Sequence, residues 1–232
     1  MLQLIKKAVR KFIKLDDTFT SYTGKALQYL RVKSTEDGLE SAATSTIIPT
    51  VIKDANADTK VDVEESANED KIRMDVKGVE AFLLNDDGIL DLAKQSRVRS
   101  YRAVSNQTIS YDTYTKIQLN AENYDNQNEF DSTTNYRFTA TKAGYYQVNA
   151  IINWSTNVDT KRYAAMIYKN GGGVDSAWNH APGGLGMCVV VSDIIYLAAG
   201  DYLELYTYHD ATADQTVVSG SDGTYMAIHK LS

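Results

Sequence analysis

Apolar and polar positions divide the chain of 232 residues into three stretches with different periods. From Leu2 to about Leu15, the apolar residues Leu2, Ile5, Val9, Phe12 and Ile13 recur at helical spacing. Lys6, Lys7, Arg10, Lys11 and Lys14 fall mostly on the other side, which predicts a short basic amphipathic helix. From about residue 20 to 96 the runs are short and period-two: Val61/Val63, then Ile72/Met74/Val76, each interleaved with charge. Asp87-Gly88 supplies a turn between Phe82-Leu83-Leu84 and Ile89-Leu90, whereas residues 41–60, small and polar with one proline, read as a linker. From about residue 97 to 232, strand-like runs follow one another with turn residues between them. These include Ile117/Leu119, Tyr136/Phe138/Ala140, Tyr146/Val148/Ala150, Ala164/Met166/Tyr168, Cys188 to Tyr196, Tyr202/Leu203/Leu205 and Tyr225 to Leu231. Asn170-Gly171 and Ala199-Gly200-Asp201 sit where hairpin turns belong. Eight or more strands in this length predict a sandwich or jelly roll. The expected organisation is therefore residues 1–19 as anchor helix, 20–96 as linker and extended β-rich stalk, and 97–232 as an all-β head.

Composition changes this picture in two places. Sixteen tyrosines point to strands and contact surfaces, because the ring packs while the hydroxyl stays wet. The single cysteine, Cys188, excludes an intrachain disulfide and, lying in the run Met187-Cys188-Val189-Val190-Val191, reads as a small core residue. Charge separates the modules: residues 1–19 carry a net +3 within a chain of −6, and residues 54–91 hold 12 acidic against 4 basic residues. An acidic body is a poor match for nucleic acid, so none is expected as a partner. The N-terminus lacks the compact apolar segment and cleavage site of a secretory signal, and no apolar stretch reaches membrane-spanning length. The stalk strands are too few and short for an independent core, so several copies are expected to bury their apolar edges together.

Candidate chemistry is sparse. His229 alternates within the last run, and His209-Asp210 ends another without a second His or carboxylate at tight spacing. No phosphate-binding glycine loop or serine elbow occurs, so the chain is expected not to be an enzyme and to need no cofactor. Asp201, Asp210, Asp214 and Asp222 leave calcium as an option without a dense ligand spacing to support it. Ser176 to Gly184, with Gly171-Gly172-Gly173 and Asp175, reads as the head's longest loop. Trp178, Asn179 and His180 within it are the candidate surface-contact residues, and the alternative for Trp178 is a packing role at the sandwich end or trimer axis.

The head resembles the C1q globular-head family, relatives of the tumour-necrosis-factor jelly roll. Leu119, Asp125, Phe130, Phe138, Gly144, Tyr146 and Val148 follow that family's signature, with Leu119 and Val148 replacing Phe and one extra residue between Phe130 and Phe138. Lys169-Asn170-Gly171, Leu197 through Leu205 (LAAGDYLEL) and Gly223 through Leu231 fit the family's turn, strand pair and closing strand. Gly24 to Val32 with Gly38-Leu39-Glu40, and Asp70 to Leu92, are similar to short segments of phage fibre proteins. The resemblance implies a tight homotrimer. In sum, a bacteriophage fibre or spike protein of head, collar or tail is expected, made in the host cytoplasm and carried on the virion. Leu2, Ile5, Val9, Phe12 and Ile13 would anchor it to capsid, collar or tail proteins, and the head would attach to a host surface glycan or protein. The alternative is a secreted bacterial C1q-like binding protein or adhesin, and a glycan depolymerase is a third reading.

Overall fold

A computed structural model describes the backbone of residues 28–32 and 39–43, then residues 51–63, 66 and 68–232. The expected anchor helix, with Leu2, Ile5, Val9, Phe12 and Ile13, lies outside the described residues. No helix occurs among the described residues. The chain divides into two compact units between Asp91 and Leu92.

The first unit contains an antiparallel pair, β1 (Gln28–Val32) and β2 (Leu39–Ala43). It also holds a meander of five strands in sequence order: β3 (Val51–Lys53), β4 (Lys60–Asp62), β5 (Ile72–Val76), β6 (Val79–Leu84) and β7 (Leu90–Asp91). The linker expected over 41–60 is thus corrected at both ends, where β2, β3 and the start of β4 find partners that local composition does not reveal. The Asp87-Gly88 turn forms as expected, with Gly88 at φ +74° joining β6 to β7.

Register sorts the meander into two unlike faces. Ile52, Val61, Met74 and Phe82 stand opposite one another across four strands; Ile72, Leu84 and Leu90 make the next row, and Val76 faces Val79. No polar residue interrupts these rows. The reverse face is ionic: Lys60 Nζ lies 3.5 Å from both Asp62 and Asp75, and Arg73 binds Glu69 and, at 2.9 Å, Glu80. The apolar face is open, with Ile52 70% and Val76 52% exposed. Among the described residues of this unit, only a polar side chain, Asp62, is fully buried.

The second unit is the head. Its strands are β8 (Arg97–Tyr101), β9 (Gln107–Ile109), β10 (Thr115–Lys116), β11 (Ala121–Asp125), β12 (Phe130–Asp131), β13 (Arg137–Thr139) and β14 (Gly144–Asn157). They continue as β15 (Arg162–Lys169), β16 (Gly172–His180), β17 (Gly184–Leu197), β18 (Tyr202–His209), β19 (Gln215–Val217) and β20 (Tyr225–Lys230). One sheet places β8 beside β20, β20 beside β14 and β14 beside β17; the other runs β13-β18-β15-β16. Taking these principal strands in chain order, the first lies beside the last and the third beside the sixth, while the second lies beside the seventh and the fourth beside the fifth. That is the strand order of a jelly-roll sandwich.

The core between the sheets explains the spacing read from the sequence. Leu119, Phe130, Phe138, Tyr146 and Val148 all belong to it. Trp154 and Tyr163 meet edge-on at 4.9 Å, and Phe138 packs on Tyr146 at 5.5 Å. Asp125 turns the chain by accepting hydrogen bonds from the Gln127 and Phe130 amides (3.2 and 2.7 Å). Gly144 is required by a close approach: a Cβ there would lie 1.9 Å from the Ser232 carbonyl oxygen.

Two expectations for the head are overturned. Cys188 is exposed, because Val189 and Val191 take the inward positions of β17 and the alternation turns Cys188 and Val190 outward. The predicted long loop is mostly the edge strand β16, which pairs with β15 along its whole length, and β17 begins at Gly184. Its glycines and polar residues imitate a loop, but Asn170 and Gly171, at φ +53° and +82°, confine the turn to the residues before it.

Candidate functional site

On β15 the inward side chains are Tyr163, Ala165 and Ile167, and the outward ones are Ala164, Met166 and Tyr168; on β18, Leu203, Leu205, Thr207 and His209 point in, with Tyr202, Glu204, Tyr206 and Tyr208 outward. Pairing brings these outward positions beside those of β16: Trp178 lies opposite Ala164 and thence Tyr208, and Ser176 opposite Met166 and thence Tyr206. The outer face of this sheet therefore carries a second, smaller apolar layer. Tyr168 and Tyr206 stack at 4.0 Å with planes 15° apart. Tyr114, just before β10, covers Tyr208 at 4.8 Å, and Trp178 tilts against Tyr208 at 5.5 Å.

Polar groups frame this layer. Trp178 Nε1 donates to Ser176 Oγ (3.1 Å), and Arg162 lies 5.5 Å from the Trp178 ring centre while its Nε donates to Asp210 (2.9 Å). That hydrogen bond, together with the Asp210 charge, raises the Arg162 pKa. Burial pushes the Asp210 carboxyl up, but the Arg162 backbone amide and guanidinium outweigh it and hold the carboxyl below its ordinary range. Tyr208 donates to the Asp112 carboxylate, and this bond, with burial and the Asp112 charge, pushes the phenol up to about 12. Burial likewise raises Tyr168 and Tyr206. These phenols are thus neutral rings at physiological pH, suited to contact rather than acid–base work.

Met166, Tyr168, Gly173, Trp178 and Tyr114 enclose a shallow cleft of about 320 Å³ that Val174, Asp175 and Ser176 also line; Ser176 lies opposite the outward Met166, whereas Asp175 lies opposite the inward Ile167. A register shift where Asp175 pairs with Ile167 and Gly173 with Tyr168 leaves Val174 as an extra residue of β16. Asp175 Oδ1 accepts the Ser176 amide hydrogen at 2.8 Å.

Of the three residues expected to form one contact surface, Trp178 and His180 share the outer face, with Trp178 40% exposed. Asn179, opposite the inward Tyr163, lies on the other face. Tyr114, Met166, Tyr168, Tyr206 and Tyr208 join this surface only through strand pairing; their signal in the sequence is the alternation of Tyr202, Glu204, Tyr206 and Tyr208 against Leu203 and Leu205.

The opposite sheet presents a different surface. Tyr101, Tyr225, Ile151 and Val190 form one outward row over β8, β20, β14 and β17; Ile194 and the edge-on pair Tyr145–Tyr196 (5.3 Å) lie further along. His229 is an exposed strand residue here, opposite Gln147 and Arg97. His209, by contrast, is buried in the core, its Nε2 3.0 Å from the Ile109 carbonyl oxygen and its ring stacked on Tyr163 at 5.8 Å.

The aspartates considered for calcium are scattered. Asp201 accepts from Asn170 Nδ2 (2.8 Å), the Ala198 amide (2.9 Å) and Lys169 Nζ (2.9 Å), while Asp214 accepts the Tyr111 amide hydrogen (3.1 Å). Asp210 serves Arg162, and Asp222 lies between β19 and β20. Among the described residues, no group of three or more His, Cys, Asp or Glu is placed to hold a metal ion.

No protein-family model and no curated protein matches the chain. Solved structures similar to it include the following three. Murine APRIL at pH 5.0 is 11% identical, with 60% of this chain and 100% of that one covered and a TM-score of 0.48. The globular domain of zebrafish complement 1qA protein is 12% identical, with 60% and 98% covered and a TM-score of 0.47. The Eiger TNF of S. frugiperda is 13% identical, with 60% and 93% covered and a TM-score of 0.46.

Proposed function

We propose that this chain is a homotrimeric fibre or spike protein of a bacteriophage particle, with the jelly-roll head as its outer, host-attaching end. The observation that carries the assembly is the uninterrupted apolar face of the β3–β7 meander, which has no buried apolar side chain beneath it among the described residues. An uncovered patch of this kind marks a protein–protein contact, and copies of the chain arranged about one axis supply the missing layer. The row Tyr101, Tyr225, Ile151 and Val190 offers a matching self-contact on the head. The virion setting rests on the fibre-like segments at 24–40 and 70–92 and on the basic amphipathic N-terminus as particle anchor.

Sedimentation velocity of the full chain tests the assembly: a species near three times 25.7 kDa is expected, and a monomer at micromolar concentration overturns it. Antibody-labelled electron microscopy of intact particles tests the setting, with label expected at three-fold projections and label away from particles excluding it.

A further inference from the structure

The cleft on the outer face of the β13-β18-β15-β16 sheet has the chemistry of a small-ligand site rather than of a core. Aromatic side chains wall it, Met166 lies at its base, and Asp175 is the only charged group among the residues that line it. Its 320 Å³ or so sits at the low end of small-molecule sites, enough for one or two sugar rings. The walls are preorganised. Tyr168 is held by Tyr206, and Trp178 by Ser176, Arg162 and Tyr208, so little rotamer entropy remains to be lost on binding.

We propose that this cleft binds a neutral pyranose unit of an oligosaccharide through Trp178, Tyr168 and Tyr114, with Ser176 taking a hydroxyl. A pyranose has one face of C–H groups and an edge of hydroxyls. The C–H face packs on the negative faces of the rings. The hydroxyls need a partner, and the Ser176 hydroxyl, opposite the outward Met166, can donate to one while it accepts from Trp178 Nε1. Gly173 keeps the site open: as the cross-strand partner of Tyr168, it adds no side chain over that ring. Uronic and sialic acid units are disfavoured, because no basic residue lines the cleft to pair with their carboxylates. This inference deepens the attachment role and rests on it.

The test applies the full chain to an array of neutral and acidic oligosaccharides and then titrates the strongest ligand while following tryptophan emission. Trp154 is fully buried, so a change in emission reports on Trp178. Saturable binding of at least one neutral oligosaccharide is expected, weakened at least about tenfold in both Trp178→Ala and Gly173→Val. Gly173→Val guards against misfolding, since its Cβ meets the Tyr168 ring at an ordinary 3.4 Å while the rest of the side chain fills the cleft. Val104→Asn, at a fully exposed position outside both the cleft and the self-contact row, is expected to bind as the parent does. The cleft assignment is overturned if no neutral oligosaccharide binds, if acidic ones bind more tightly, if both cleft variants bind unchanged, or if tetramethylammonium alone saturates the site. Sedimentation of the same samples separates the two failures. A trimer without sugar binding removes the cleft and keeps the fibre, whereas a sugar-binding monomer does the reverse.

Discussion

In β14 of the head, Tyr146, Val148, Ala150, Ile152 and Trp154 alternate with outward residues, and every one of them is buried. In β5 of the first unit, Ile72, Met74 and Val76 alternate just as regularly, yet each is more than a third exposed. The local pattern is the same; the difference is the second layer. The head folds a second sheet over the first, whereas no second layer covers the apolar face of the β3–β7 meander among the described residues of its unit. Alternation specifies which side of a strand is to be hidden, and topology specifies whether anything in the same unit hides it.

If that contrast is right, substitutions in the two regions fail differently. Trp154→Ala is expected to destabilise the head by about 3–5 kcal/mol, read by denaturant unfolding, because it empties the space packed edge-on against the stacked Tyr163 and His209 rings. Met74→Asp is expected to leave the head's unfolding unchanged but to weaken self-association at least tenfold, since it places a charge in the middle of the apolar row. Equal loss of head stability in both variants would erase the distinction.

Smaller effects probe the head's turns. The Asp201 carboxylate, bonded to Asn170, Lys169 and Ala198, is held down to about 2 from its ordinary value near 4. Its folded pKa is the lower one, so its stabilisation is present above the unfolded value and is lost as pH falls from about 4 to about 2. Asp201→Asn is therefore expected to melt below the parent at neutral pH, and the two melting curves to converge across that window. Smallest is Val104→Asn, which is expected to stabilise by about 1 kcal/mol or less. Val104 is 96% exposed and, though β-branched, held at φ +68°, a conformation asparagine tolerates better.

Much of the head was legible in advance. Leu119, Phe130, Phe138, Tyr146 and Val148 were read as one ordered set, and all lie in one core. Strand β16 was misread because edge strands tolerate glycine and polar residues that elsewhere mark loops. Cys188 was misplaced because its run is apolar on both sides, so only the pairing of β17 with β14 decides which residues face in. The aromatic cleft was only partly legible. Trp178 was singled out, but Tyr114, before β10, and Met166 and Tyr168, on β15, come from two other segments of the chain.

The chain's own order of residues thus determined an all-β head, its hairpin at Asn170-Gly171, most of its core positions and the period-two strands of the first unit. These are local properties, set by side-chain period and by the backbone freedom of turn residues. The tertiary structure alone decided that Tyr168 would stack on Tyr206, that Trp178 would stand over Tyr208 while Asn179 turned away, and that Ser176 would edge an open cleft. Those neighbours are set by strand pairing between segments tens of residues apart. Shifting such a register by one residue would turn every side chain of the strand to the opposite face.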